Sequence, residues 1–217
     1  MIETNNIYRM YLPFKYWGYD ICLNQTITQR GEKLLLGDYE GFTFPIKYIG
    51  YLDVKSLQDT YLLFNFHRTN YGGLNFLVTN KVVDMLSSNG ITGWKTYPVE
   101  VTTRDNVPIT GFSGFTITGR CKAVNPSLIE DNIMITPPYK NAPTYPGYKG
   151  FPLDLDTWDG SDIFILEHTL CKFVTARTKN VIEKAHLSNI AFEDIAEMTY
   201  PQKDAIWKSP MGVIVNE

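Results

Sequence analysis

The chain has 217 residues, 44% of them apolar and 20% charged, with a net charge of −3. That is enough chain to bury a sizeable core as one large domain or two small ones. Mild acidity with no cluster of Lys and Arg argues against a dedicated nucleic-acid binder, and no apolar stretch approaches the length that spans a bilayer.

Aromatic residues are abundant, with 14 Tyr, a residue that suits strands and half-wet interfaces. Cys22, Cys121 and Cys171 lie far apart without a CxxC, so a zinc ribbon or thioredoxin-like site is not expected, and an odd count without a framework fits reduced thiols. The opening MIETNNIYRM lacks a basic segment followed by an apolar run, so no signal peptide is expected and the cytoplasm is the expected location.

Residues 7–23 are rich in aromatic and β-branched side chains and predict one or two strands broken near Pro13 or Gly18. Residues 32–54 continue the strand reading, with Phe42, Phe44 and Ile46 alternating and Gly37, Gly41 and Gly50 as turn points. The run 60–66 is another strand, closed by a turn at Tyr71–Gly72–Gly73.

A strand ending at Val78 then leads to Thr79, whose hydroxyl suits a helix N-cap. The helix is predicted over 80–88 and stops at Asn89–Gly90, because glycine accepts the left-handed conformation after the last turn. A strand from Trp94 to Thr102, a turn at Asp105–Asn106 and a return strand over 107–121, loosened by Gly111 and Gly114, predict a hairpin or meander. Residues 136–152, with five prolines and two glycines, predict a long loop or linker. Strands at 162–166 and 173–174, a Thr175-capped helix over 176–185 and a strand at 190–195 follow, with short apolar elements at 205–207 and 211–215.

Part of this pattern occurs twice. Residues 77–99 and 173–195 align without a gap at the 96-position shift from Thr79 to Thr175. Val78–Thr79 matches Val174–Thr175, Lys81 faces Arg177, Ile91 faces Leu187, and Thr92 faces Ser188. An apolar or small-residue stripe, Val82, Met85 and Leu86 against Thr178, Val181, Ile182 and Ala185, repeats with it. Helices this short are marginal alone, so each stripe must be buried on a sheet. The expected fold is α+β and strand-rich, with two related strand–helix–strand units on mixed or antiparallel sheet. Residues 1–135 would hold the first unit, 136–152 the linker and 153–217 the second unit and tail, in one body.

The order of short strand, V-T cap, helix of about ten residues, [IL]-[ST]-[GN] turn and aromatic strand ending near P-V-E resembles the bacterial polymorphic-toxin immunity proteins, in particular the large group numbered eleven and its relative numbered forty-three. The stretches that carry the resemblance are Phe76–Val101 and Phe173–Ile195. The hairpin segment 99–121 with Lys122–Asn125 and the sequence WDGSDIF at 158–164 add to them. The likeness covers about the second two thirds of the chain and contains no catalytic residue. It implies a cytoplasmic protein that binds and neutralises a cognate toxin; on composition and motifs, no cofactor, nucleic acid or membrane is expected among its partners.

Candidate chemistry is sparse. His67, His168 and His186 are the only histidines. His168 and Cys171 form an H-x-x-C that Cys121 could join, but a metal site needs three or four converging ligands. There is no G-x-S-x-G, P-loop or G-x-G-x-x-G. A small hydrolase or ligand-binding enzyme using His67 or His168 with nearby acids is the alternative reading.

Asp154, Asp156, Asp159, Asp162 and Glu167 fall within fourteen residues that hold no Lys or Arg. As a calcium loop the run misplaces both Gly160 and Glu167; as a docking surface it would steer a basic partner. With Trp158 beside them, Asp154, Asp156, Asp159 and Asp162 are candidate partner-binding residues. Tyr139, Tyr145 and Tyr148 join them, since prolines limit the entropy that such a loop loses on binding.

Overall fold

A computed structural model describes residues 6–13, 21–23, 31–50, 65–68, 76–128, 130–136 and 143–201. The expected strand at 60–66 and the apolar stretches at 205–207 and 211–215 fall largely or wholly outside these residues. The fold is α+β. Its two longest helices, α2 (Asn80–Ser88) and α3 (Ala176–Lys184), are each preceded by a strand and followed by another.

The first unit is an antiparallel sheet in the order β4 (Phe66–Arg68), β5 (Phe76–Thr79), β9 (Phe112–Ile117), β6 (Trp94–Tyr97). The second is β13 (Ile163–Leu166), β14 (Lys172–Thr175), β1 (Ile7–Tyr11), β15 (Ala191–Asp194), extended at β13 by the parallel strand β10 (Gly119–Cys121). The two sheets share one register. Thr79 opposes Phe112 as Thr175 opposes Ile7, and the 96-position shift carries Lys95, which faces Thr116, onto Ala191, which faces Tyr11. Strand β1 therefore holds in the second unit the place of β9 in the first, although it comes from the opposite end of the chain.

The helices agree in backbone but not in cap: the Thr175 hydroxyl accepts the Thr178 N–H, whereas the Thr79 hydroxyl makes no cap bond and donates to Asn65 Oδ1 instead, which corrects the N-cap expected there. Thr79 and Thr175 precede the helices with φ −72° in both cases and ψ of 158° and 159°. Each ends in a Schellman arrangement: Ile91 N–H donates to Leu86 O and Gly90 N–H to Ser87 O, as Leu187 N–H donates to Ile182 O and His186 N–H to Glu183 O. Gly90 (φ +61°) and His186 (φ +51°) both take the left-handed position.

The strand period of two decides which core each side chain enters. Val78 on β5 and Val174 on β14 point into a central cluster that also takes Val82 and Leu86 from α2 and Ile182 from α3. Their neighbours Leu77 and Phe173 point the other way, into two outer clusters. With both faces covered, every residue of β13 is buried.

Several local expectations need correction. Residues 31–36 form a helix, α1 (Gly31–Leu36), and strand begins only at β3 (Ile46–Gly50). Phe42 and Phe44 lie outside any strand and pack on the cluster containing Tyr48 and Tyr97. The single strand expected over 94–102 breaks at Pro98: β6 stays in the first sheet, while β7 (Val99–Thr103) runs parallel to β3 and antiparallel to β8 (Pro108–Ile109). The four-stranded sheet β2 (Ile21–Leu23)–β3–β7–β8 is thus built on a bent hairpin. Gly114 does not loosen β9. It lies opposite Tyr97, and a Cβ there would collide with the tyrosine ring.

The expected linker 136–152 also contains structure. Tyr145–Lys149 is β12, the middle strand of a sheet with β11 (Glu130–Ile135) and β16 (Thr199–Pro201). Pro146 is tolerated because it faces Met134 on one side only, the β16 pairs beginning at Gly147.

Candidate functional site

The segment 154–162 follows β12 and leads into β13, and backbone turns of Asp-x-Asp and Asp-x-Ser type shape it. Asp154 Oδ1 accepts the N–H of Asp156 at 3.3 Å, and Asp159 Oδ1 accepts that of Ser161 at 3.0 Å. A short 3₁₀ turn, Leu155–Thr157, lies between them.

Thr157 fastens this loop to β10. Its hydroxyl donates to Asp154 O at 2.8 Å and accepts the N–H groups of Lys122 and Ala123 at 3.1 and 3.0 Å. Asp159 Oδ2 accepts Arg120 N–H at 2.8 Å, and Trp158 bridges to Cys121. The Trp158 ring packs on Phe164 with centroids 5.1 Å apart, and its buried indole N–H has no hydrogen-bond partner among the described residues. A stiff loop results that exposes Asp156 and Asp159 and half-buries Asp154.

Asp162 does not belong to that surface, and its assignment as a docking residue is corrected. It is 8% exposed. One carboxylate oxygen accepts the Thr92 N–H and hydroxyl, both at 3.1 Å, and meets Arg177 at 3.1 Å; the other accepts the Thr175 hydroxyl. A buried carboxylate surrounded by donors holds the two units together.

The tyrosines separate likewise. Tyr148 packs on the outer core of the second unit, and Tyr145 is half-buried on β12. Tyr139 lies outside the described residues. The stiffness expected of this segment comes from pairing in a sheet as well as from proline.

Arg120 and Thr157 were not singled out from the sequence. The Arg120 guanidinium donates to the carbonyls of Ile117, Gly119 and Leu36 at 2.7–2.8 Å. Burial lowers its pKa, opposed by Glu167 and Asp159. Thr157 could have been found from the D-x-x-T spacing, which places a hydroxyl over the carbonyl three residues back; nothing local marks Arg120.

Among the described residues no group of three or more His, Cys, Asp and Glu side chains could hold a metal ion. His168 sits exposed in the β13–β14 turn at φ 59°. Thr169 holds that turn, its hydroxyl donating to Leu166 O and accepting Cys171 N–H. The Cys121 and Cys171 thiols are buried, and burial raises both pKa values. Burial also pulls the neighbouring Lys172 ammonium down to about 8.

The fold and this surface define a two-unit α+β scaffold that presents a stiffened acidic loop. No family model and no curated protein matches the chain. No helix among the described residues is long and apolar enough to cross a membrane.

Proposed function

We propose that this is a non-enzymatic immunity protein of the bacterial cytoplasm, which binds a cognate toxin and occludes it. The resemblance of the two repeated segments to immunity proteins of the polymorphic-toxin systems motivates the reading. The observation that carries it furthest is the loop 154–159. Its backbone is tied to β10 through Thr157 and Asp159 while the Asp156 carboxylate faces solvent. A carboxylate on a pre-ordered loop loses little entropy on docking and speeds encounter with a basic surface. Toxins that act on nucleic acids carry such a surface, because phosphate binding demands it.

Co-expression with the toxin encoded beside it tests the assignment. Growth should be restored, and the two chains should co-purify at a fixed ratio. Persistent killing together with no complex in a pull-down would sink it. Reversal of the loop charge by Asp156→Lys, at an exposed side chain, should slow association and weaken its salt dependence.

A further inference from the structure

The slot between β14 and β15 is filled by a strand that the rest of the second unit does not encode. Residues 162–195 supply β13, β14, α3 and β15, yet within the sheet β1 stands between β14 and β15 and pairs with both. Strand β1 pairs with Thr175, Val174 and Phe173 on one side and with Asp194 to Ala191 on the other. Side chains fix it as well. Ile7 is fully buried in the outer core and Met10 is 3% exposed in the central core. Arg9 reaches Glu193 at 3.4 Å, and the Lys179 ammonium lies 5.2 Å from the Tyr8 ring centre.

The first unit shows that such a slot sets no condition on where its strand comes from. The equivalent place between β5 and β6 holds β9, which follows β6 in sequence, whereas β1 precedes everything it pairs with. Two connections of opposite sense deliver a strand into one geometry, in one register. What the slot recognises is an extended segment with an apolar residue at each of two depths and a cation between them.

We propose that the β14–β15 slot is a strand-acceptor site whose second occupant is β1 of another copy of this chain, exchanged reciprocally to give a dimer. Every contact of the strand described above is then remade between chains. Exchange of an identical element is a low-cost route to a dimer, and main-chain pairing with alternate side-chain pockets is the recognition mode of donated strands.

The test uses full-length chains carrying two different C-terminal tags, unfolded together and refolded at high concentration. Dimers bearing both tags and surviving dilution are expected. A synthetic peptide of residues 6–13 in the refolding buffer should lower their yield about tenfold. The same peptide with Ile7→Asp and Met10→Asp should leave the yield unchanged. Monomers only, dimers indifferent to the peptide, or dimers suppressed equally by both peptides would overturn the proposal.

Discussion

Thr92 and Asp162 grip each other three times: the Thr92 N–H and hydroxyl both donate to one Asp162 carboxylate oxygen, and the Asp162 N–H donates back to the Thr92 hydroxyl, each at 3.1 Å. A related contact, with the side-chain bond reversed in direction, occurs with the units exchanged. Asn65 donates its backbone N–H to the Ser188 hydroxyl at 3.1 Å, and its side-chain amide reaches the same oxygen at 3.3 Å. Asn65 Oδ1 accepts the Thr79 hydroxyl as Asp162 Oδ1 accepts that of Thr175. Each unit thus reaches, from the residue just before its first strand, the turn that follows the other unit's helix. Such reciprocity makes the chain an internal pseudo-dimer.

Asp162 should accordingly be costly to remove and cheaper to neutralise. Asp162→Ala strands several donors in the seam and should lower stability by about 3–5 kcal/mol. Asp162→Asn keeps one acceptor oxygen, as Asn65 offers one to Thr79, and should cost less, about 1–2 kcal/mol. Urea midpoints at constant slope measure both, and equal losses would contradict the equivalence of the two positions.

The helices should behave as core elements. Leu86 is completely buried and Ile182 is 1% exposed. Leu86→Ala and Ile182→Ala should each cost about 2–5 kcal/mol. Because the two side chains share one cluster, the double variant is expected to depart from additivity. Losses below about 1 kcal/mol at both sites would contradict this packing.

His186 carries a left-handed backbone that Gly90 adopts freely in the other unit. His186→Gly should therefore gain about 0.5–1 kcal/mol, the relief of the Cβ clash less the added freedom of the unfolded chain. Gly90→Ala should lose a similar amount. Thermal unfolding of the two variants reads the opposite signs directly.

Lys172 introduces a pH dependence. With its pKa near 8 in the folded chain against 10.5 normally, the unfolded chain binds more protons between those values, so stability rises with pH there. Below about 8 both states hold the proton and the buried charge is a constant cost. Lys172→Met should be more stable than the parent at pH 7 by about 1–3 kcal/mol, with the gap closing toward pH 10. The raised Cys121 and Cys171 thiols act in the other direction: the folded chain keeps those protons longer, and stability falls once pH passes the normal thiol value. A gap that stays constant from pH 7 to 10 would exclude the burial of the Lys172 charge.

Thr157 and Asp156 should separate stability from binding. Thr157→Val deprives the Lys122 and Ala123 N–H groups of their acceptor and should cost about 2–3 kcal/mol. Asp156→Asn should leave stability within about 0.5 kcal/mol while slowing capture of a basic partner. A large stability loss at Asp156 would show that its carboxylate is structural.

Much of the second unit was legible from local chemistry. Val174–Thr175 and Val78–Thr79 each mark a strand that runs into a helix, Gly90 marks the stop, and the stripe of Leu86 and Ile182 marks the buried face; the hydroxyl cap expected at both threonines forms at Thr175 alone, because the Thr79 hydroxyl is drawn to Asn65. These signals act over a single turn or strand, through φ preference, side-chain period and hydroxyl capping, so the residues alone carry them. The repeat could be read for the same reason, because both copies obey the same short-range rules.

What lies between the copies was not legible. Nothing near Ile7 says that β1 completes a sheet with residues 173–175 and 191–194, and nothing near Asp162 separates a carboxylate in solvent from one locked by Thr92, Thr175 and Arg177. In sequence Asp162 belongs to an acidic run with Asp156; in space it belongs to the seam. The composition of 136–152 suggested a linker, yet a proline that faces a partner on one side only can sit in a sheet. Local pattern determined the helices of the two repeated units and their buried faces. Long-range pairing, whose energy depends on which distant donor meets which acceptor, decided how the units join and which carboxylates remain free to bind.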